Sequence, residues 1–352
     1  RMAHDRDDKP PKREMDMLLT IGEQMSVSLM ARVMHKLGVP AVSLNAFQVT
    51  MHTTSSHQNA RLKRIDTERI RRELDAHRIV IVTGFQGVDK YDDYTTLGRG
   101  GSDTTAVALA AALHADACKI YTDVDGVYTA DPRKVPNARK LKEITYDEML
   151  DLATSGAGVL HNRSVEMAKK YGVPLVVRSS LNNSEGTVVK EVVSVERMLI
   201  SGVALDTDAV RIAVLGLRDV PGVAFKVFDT LAKKNINVDV ILQSIGRAGT
   251  KDISFTVNKD DLDDAVATLE ESQERLGFKE LHSERNIAKL SIVGSGMLSN
   301  PGVAAKMFES LYNEGVNINM ISTSEIRITV LINEKDGIRA MNAVHDAFGL
   351  AD

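Results

Sequence analysis

With 352 residues, 43% of them hydrophobic and 26% charged, the chain has a globular composition and enough length for two or three cores. A formal net charge of −4, no tryptophan and only 4% aromatic residues remove the electrostatic and stacking basis for nucleic-acid binding, so small-molecule ligands are expected. There is no apolar run long enough to span a membrane and no signal-peptide layout, and the single cysteine, Cys118, has no disulfide partner; a cytoplasmic protein with a buried structural thiol is expected.

The chain opens on a polar run from Arg1 to Lys12 without an initiating methionine, which leads us to expect that it derives from a longer gene product. From Arg13 to Leu37, Met17, Leu18, Ile21, Met25, Leu29, Val33 and Leu37 recur at helical spacing, interrupted by Gly22, where a kink or a close ligand approach is expected. Gly38 and Pro40 end that helix, and Ala41 to Leu44 reads as a strand. Asp66 is placed to cap a helix from Thr67 to His77, and Ile79 to Thr83 reads as the next strand.

The most informative stretch follows. Thr95-Thr96-Leu97-Gly98-Arg99-Gly100-Gly101-Ser102-Asp103-Thr104-Thr105 runs straight into the alanine-rich segment 106–113. A glycine-rich turn between a strand and a helix presents bare N–H groups and a helix N-terminus, the ordinary setting for an anion. The glycines permit close backbone approach, Arg99 offers a fork suited to a carboxylate, and Ser102 and Asp103 are expected at capping positions. The strand from Cys118 to Thr122 then ends in a polar stretch through Asp123, Asp125, Asp131 and Arg133. The spacing lacks the glutamate of a calcium loop, and a nucleotide is the better expected ligand.

Thr145 and Glu148 form a capping box, Ser155 to His161 carries another glycine pair, and His161 is expected to bond to the start of the helix that follows. Alternating strands and helices to about Lys190 imply a layered α/β unit around a largely parallel sheet. The second half is duplicated. Pro221 to Ile245 and Pro301 to Glu325 align without a gap and share ten identities in 25 positions, each copy reading as βαββαβ with a Pro-Gly turn before its first helix.

Arg13-Glu14-Met15-Asp16, Gly22-Glu23-Gln24, the Thr96 to Asp103 run, the Tyr121 to Arg133 run and Ser322-Thr323-Ser324-Glu325-Ile326-Arg327 together resemble the bacterial aspartate kinases, across essentially the whole chain. The resemblance implies an α/β fold: an amino-acid-kinase αβα sandwich over 1–190, followed by two βαββαβ ACT domains over 191–285 and 286–352. It implies the reaction of ATP with L-aspartate to give ADP and 4-phospho-L-aspartate, the first committed step toward lysine, threonine and methionine. Glu23 is implied to hold the substrate's amino group, and Arg99 and Ser102, with Gly100 and Gly101, its α-carboxylate, while Asp103 orients the site. Thr122, Asp123, Tyr128, Asp131, Arg133, Gly158 and Val159 are implied as nucleotide contacts, with Mg²⁺ bridging the phosphates and no dedicated side-chain metal site. Asp219, Gly222, Ala224, Gln243, Asn317 and Ile318 are implied to contact lysine or threonine as effectors. Pairing of ACT edges implies a homodimer or an α2β2-type assembly of catalytic and regulatory chains.

The chemistry agrees with these roles, since phosphoryl transfer needs positioning and charge neutralisation more than a covalent nucleophile. Two departures from the family pattern stand out. Its N-terminal Lys-Phe-Gly-Gly run is absent, and Gly158 stands where its Gly-Ala-Lys-Val-Leu stretch usually has lysine. Each missing cation is worth about 10²–10³ in rate in a closed site, so slow turnover is expected of this chain. A regulatory chain that binds the effector through its ACT pair is the alternative reading at this point.

Overall fold

A computed structural model describes residues 10–193, 199–245 and 249–351. The chain divides into two units, one of Arg1–Val127, Lys142–Ala153 and Gly158–Val193, the other of Tyr128–Leu141, Thr154–Ala157 and Ser194–Asp352. No helix among the described residues is long and apolar enough to cross a membrane.

The first unit carries helices at Lys12–Lys36, Glu68–Asp75, Gly101–Leu113, Tyr146–Thr154 and Asn162–Tyr171. Its strands fall into three groups. Ala41–Leu44 and Ile79–Val82 form a parallel pair; Leu62–Arg64, His52–Thr53, Gln86–Val88 and Tyr94–Thr96 form a second sheet in that order; Cys118–Thr122, Leu175–Ser179, Thr187–Lys190 and Glu143–Thr145 form a third. The expected largely parallel sheet is therefore mixed. Leu175–Ser179 meets Thr187–Lys190 antiparallel, as does Gln86–Val88 meet Tyr94–Thr96, because the connections between them are too short for a parallel crossover. Leu44, Ala46, Val49, Met51, Ile70 and Val88 pack into one core of this unit.

The first helix runs without a break through Gly22, around which there is open space. Its buried row is Asp16, Thr20, Val27 and Ala31, whereas Met17, Leu18, Ile21, Met25, Leu29, Val33 and Leu37 are exposed. Periodicity identified the helix correctly but not the face it buries, which is the one with small and polar side chains. Thr145 and Glu148 do cap reciprocally: the Thr145 hydroxyl accepts from Glu148 N–H at 3.2 Å and donates to the Glu148 carboxylate at 3.0 Å.

In the second unit each half of the duplication builds a four-stranded antiparallel sheet under two helices. The first uses Ala209–Arg218, Val223–Ala232, Ile241–Ile245, Thr250–Asn258, Leu262–Glu271 and Glu280–Glu284, in sheet order Ile241–Ile245, Thr250–Asn258, Ala209–Arg218, Glu280–Glu284. That is βαββαβ. The second has Ile287–Val293, Val303–Asn313, Met320–Thr323, Arg327–Asn333 and Gly337–Ala347, and its sixth element comes from elsewhere: Gly202–Asp206, which precedes the first repeat, pairs antiparallel with Ile287–Val293. It takes the place beside the first strand that Glu280–Glu284 takes in the first repeat.

Ile287–Val293 is buried at every position, so its polar residues need partners. Ser291 and Thr329, paired across the ladder, share a hydroxyl bond of 2.8 Å. Lys289 contacts Asp206 on the returning strand at 2.9 Å and Asp239 of the first module at 2.6 Å. Burial alone would depress the ammonium's pKa; the two carboxylates outweigh it, and the net shift is upward. Val240, Ile287, Met320 and Leu331 form an apolar cluster beside this joint.

The segment Tyr128–Leu141 also belongs to this unit. Ala130, Val135 and Ala138 join the core of the second repeat, and Val203 N–H donates to Thr129 O at 2.7 Å. The buried Thr129 hydroxyl accepts from Arg139 N–H at 2.9 Å and donates to Leu350 O at 3.2 Å, so at 2.9 Å it accepts from His345 Nε2–H. Those bonds fix the His345 tautomer, and burial holds its pKa below the ordinary histidine range. Thr129→Val keeps the shape and orphans two buried donors and an acceptor. The variant is expected to lose about 2 kcal/mol of stability, read as a shift in the denaturant midpoint of this unit; an unchanged midpoint contradicts the assignment.

Candidate active site

The glycine-rich turn follows the strand Tyr94–Thr96 rather than Ile79–Val82 directly, and it lies against Gly84 and Phe85, just past the carboxyl end of Ile79–Val82. Leu97 N–H donates to Phe85 O at 2.9 Å, and Phe85 N–H donates to the Thr105 hydroxyl at 3.1 Å. Three close approaches explain the glycines. A Cβ on Gly98, which has φ +79°, would lie 2.8 Å from Gln58 O; one on Gly100, with φ +66°, would lie 2.2 Å from the His161 Cβ; one on Gly101 would lie 2.9 Å from the Phe85 ring.

Gly100, in the left-handed conformation, is the N-cap of Gly101–Leu113. Ser102 and Asp103 are thus second and third in the helix and make no side-chain cap, which corrects the expected capping role. Their side chains are left for other partners. Ser102 is exposed and Asp103 half-buried, and neither side chain forms a hydrogen bond among the described residues. Gly101 and Thr104 N–H are taken by Gly98 O and Gly100 O, whereas the N–H groups of Ser102 and Asp103 have no backbone acceptor there. Arg99 is exposed, and its side chain has no hydrogen bond or ion pair among the described residues. Arg99, the Ser102 hydroxyl and two first-turn N–H groups without a backbone acceptor thus fall within five consecutive residues at the positive end of a helix, a setting that suits an anion.

Electrostatics add a contrast. Burial raises the Asp103 pKa, opposed by nearby His161, while burial lowers that of His161, reinforced by Arg163. His161 acts as expected at its helix start, its Nδ1 accepting from Arg163 N–H at 3.3 Å. Cys118 is buried, and its thiol is pushed up to about 11 by burial and by Asp103.

Glu23 lies on Lys12–Lys36, half-buried, its side chain unpaired among the described residues. Its neighbour Gln24 bonds to Tyr94, so the helix carrying Glu23 packs on the strand that leads into the turn. Thr122 ends its strand and donates to the exposed Asp123 carboxylate at 3.0 Å. Gly158 is exposed with open space around it, and Val159 is half-buried beside it. Tyr128, Asp131 and Arg133 belong to the second unit, and Arg133 grips Asp131 through both carboxylate oxygens at 2.9 and 3.0 Å. The polar stretch that reads as one turn in sequence is divided between two units.

The six residues implied as effector contacts lie in the two repeats. Asp219 pairs with Lys251 at 3.1 Å, Gly222 caps Val223–Ala232 with φ +86° and open space around it, and Ala224 packs on that module's core. Gln243 sits on an exposed edge strand, Asn317 donates to Asn319 at 3.4 Å, and Ile318 packs on the second core. Among the described residues none of the six bonds to another. Sequence reasoning passed over Arg163, whose Nη1 and Nη2 donate to Leu97 O at 2.7 Å and Ala60 O at 3.0 Å; a lone arginine after a helix cap carries no signal in sequence.

Asp103→Asn tests the burial of that carboxylate. A raised carboxylate pKa means that the folded chain binds the proton more tightly than the unfolded one, so this stabilising contribution is complete in acid and is lost as pH rises through the folded pKa. The variant is expected to unfold at higher denaturant than the parent at pH 7, the gain shrinking toward pH 4. An equal or lower midpoint at pH 7 contradicts the burial penalty.

Comparison with known proteins agrees with this architecture. The Amino acid kinase family matches residues 2–179, and the ACT domain matches 212–273 and 290–348. The chain is 51% identical over 343 residues to the aspartokinase of Bacillus sp. (strain MGA3), covering 97% of this chain and 84% of that protein. It is similar in structure to E. coli aspartokinase III in complex with aspartate and ADP in the R-state, with a TM-score of 0.85 and 28% identity over 96% of this chain and 76% of that one. The T-state of that enzyme, in complex with lysine and aspartate, gives a TM-score of 0.75 and 29% identity over the same shares.

Proposed function

The chain belongs to the aspartokinase family, and on that premise we propose that it transfers the γ-phosphoryl group of ATP to the β-carboxylate of L-aspartate. A β-carboxylate oxygen forms the new bond to the γ-phosphorus as the bond to the β,γ-bridging oxygen breaks, giving 4-phospho-L-aspartate and ADP. The match runs through the kinase unit as well as both ACT modules, which favours the enzyme over a purely regulatory chain.

The observation that carries this reading is the unpaired set at the turn: the Arg99 guanidinium, the Ser102 hydroxyl and the free first-turn N–H groups. Arg99 and Ser102 hold the α-carboxylate, with the close backbone at Gly100 and Gly101, and a planar fork suits a carboxylate better than a point charge does. Glu23 takes the amino group. With both ends of the amino acid fixed, the β-carboxylate is directed at the phosphate, and no general base is needed because the nucleophile is already ionised at neutral pH. Asp103 orients these groups from the first turn of the helix.

Thr122, Asp123, Gly158 and Val159 are the nucleotide contacts within the kinase unit. Mg²⁺ on nucleotide phosphates takes most of its ligands from phosphate and water and needs one or two carboxylates from protein. Asp123, exposed and engaged by the Thr122 hydroxyl, fits that need, and the ion when bound neutralises charge on the phosphates.

Lysine, threonine or both regulate the enzyme through the Pro-Gly turns. The helix Val223–Ala232 begins at a left-handed glycine with open space around it, a setting suited to an amino acid's α-carboxylate. The strands Ile241–Ile245 and Met320–Thr323 end their sheets and expose Ile241, Leu242 and Ile321, so assembly through these edges, as a homodimer or with a regulatory chain, is the proposed quaternary arrangement.

Arg99→Lys separates the two substrates. Losing one bidentate charge-assisted contact is expected to raise the aspartate KM by roughly tenfold to a hundredfold and leave the ATP KM nearly unchanged in a coupled assay. An equal rise in both KM values refutes the assignment.

A further inference from the structure

The structure assigns a task to Asp16: we propose that its carboxylate is the positioning residue that sets the glycine-rich turn in its aspartate-binding geometry. The inference rests on the reading that this turn binds L-aspartate.

Asp16 has no exposed surface. Its carboxylate accepts from Thr96 N–H at 3.0 Å, the Thr96 hydroxyl at 2.7 Å, Gln58 N–H at 3.0 and 3.2 Å, and His57 Nδ1 at 3.0 Å. These donors use the acceptor capacity of a carboxylate, and each would be orphaned without it. They come from two chain segments, one leading into the turn and the other lying against it. Gly98 marks the contact between them, since its missing Cβ would meet Gln58 O. The carboxylate therefore fixes both walls of the seam in which the turn starts.

Two neighbouring contacts give the clamp direction. Arg13, one turn earlier on the same helix, donates to Asp93 at 3.0 and 2.6 Å, so residues 13 and 16 hold residues 93 and 96, and the helix lies along the strand entering the turn. On the far side Arg163 ties Leu97 O to Ala60 O, and Ala60 N–H donates to Thr96 O at 2.9 Å. Leu97 is held through Arg163 and Thr96 through Asp16, and Arg99 follows within three residues. Its side chain has no partner among the described residues, so its placement depends on the backbone that carries it. The same helix carries Glu23, two turns beyond Asp16. One buried carboxylate thereby references the site for the amino group to the site for the α-carboxylate, so its loss weakens the hold on both charged ends of L-aspartate and leaves the nucleotide contacts in place.

The test compares Asp16→Asn, Thr96→Val and Arg99→Lys in the full chain, with steady-state kinetics for both substrates, calorimetric ADP binding and a thermal melt. Asn keeps the size and turns one acceptor into a donor facing donors; Thr96→Val removes one donor only. Asp16→Asn is expected to raise the aspartate KM by about tenfold to a hundredfold, with ATP KM and ADP affinity within about twofold of the parent, and Thr96→Val to give the same split at smaller size. If Asp16→Asn folds and either leaves the aspartate KM unchanged or lowers kcat with both KM values intact, the proposal is overturned while the turn's role stands. If Asp16→Asn does not fold, Thr96→Val decides: a parental aspartate KM overturns the proposal. If Arg99→Lys leaves the aspartate KM unchanged, the reading of the turn fails, and this proposal fails with it.

Discussion

The kinase unit depends on a carboxylate with no exposed surface. Asp16 gathers two backbone N–H groups, a hydroxyl and an imidazole from segments that are far apart in sequence, and it does so where the chain is about to enter its most irregular backbone. A turn with glycines at φ +79° and +66° has few side chains with which to hold itself. Its rigidity has to come from neighbours: Asp16 and Arg163 on its entry, Phe85 and the His161 side chain packed where Cβ atoms would otherwise lie. This arrangement leaves Arg99 and Ser102 without side-chain partners among the described residues, because the turn does not need them for its own stability.

The second unit solves a different problem. Each repeat needs a fourth strand beside its first, and the second repeat obtains it from a segment that precedes both. The modules are joined by this topology, by Lys289 between Asp206 and Asp239, and by the apolar cluster at Val240 and Ile287. Lys289 is the buried member of this group and Asp239 the exposed one; removing the carboxylates would leave the buried ammonium uncompensated, which ties the segment entering Ile241–Ile245 to the core of the other repeat. The chain segment Tyr128–Leu141 is part of the same body, anchored by the fully used Thr129 hydroxyl. The chain thus leaves the strand end at Thr122, enters the regulatory unit within six residues and returns, so the two units are linked there by a short covalent path.

Much of this was legible in the sequence for reasons that can be named. The duplication was plain because Pro-Gly turns and core spacing repeat without a gap, and the strand–turn–helix at Gly98 to Asp103 was plain because few other structures need that many glycines there. The capping box at Thr145 and Glu148 and the role of His161 followed from local rules. What was hidden depends on long-range pairing. Periodicity cannot tell which face of Lys12–Lys36 meets the strands, nor that Gly202–Asp206 crosses to the second repeat, nor that the polar run after Thr122 divides between units. Ser102 was misplaced as a cap because a left-handed Gly100 takes that position. Asp16 stood inside a recognised motif, but its role appears only when residues 57, 58 and 96 are brought to it.

The most direct measurement is calorimetric binding of L-aspartate and of its α-carboxamide to this chain in the presence of ADP. L-aspartate is expected to bind at least tenfold more tightly, because the amide offers Arg99 a neutral group in place of a carboxylate, and the gap is expected to close in Arg99→Ala. Equal affinity for the two ligands, or a gap that survives the loss of Arg99, would contradict the assignment of the turn as the α-carboxylate site.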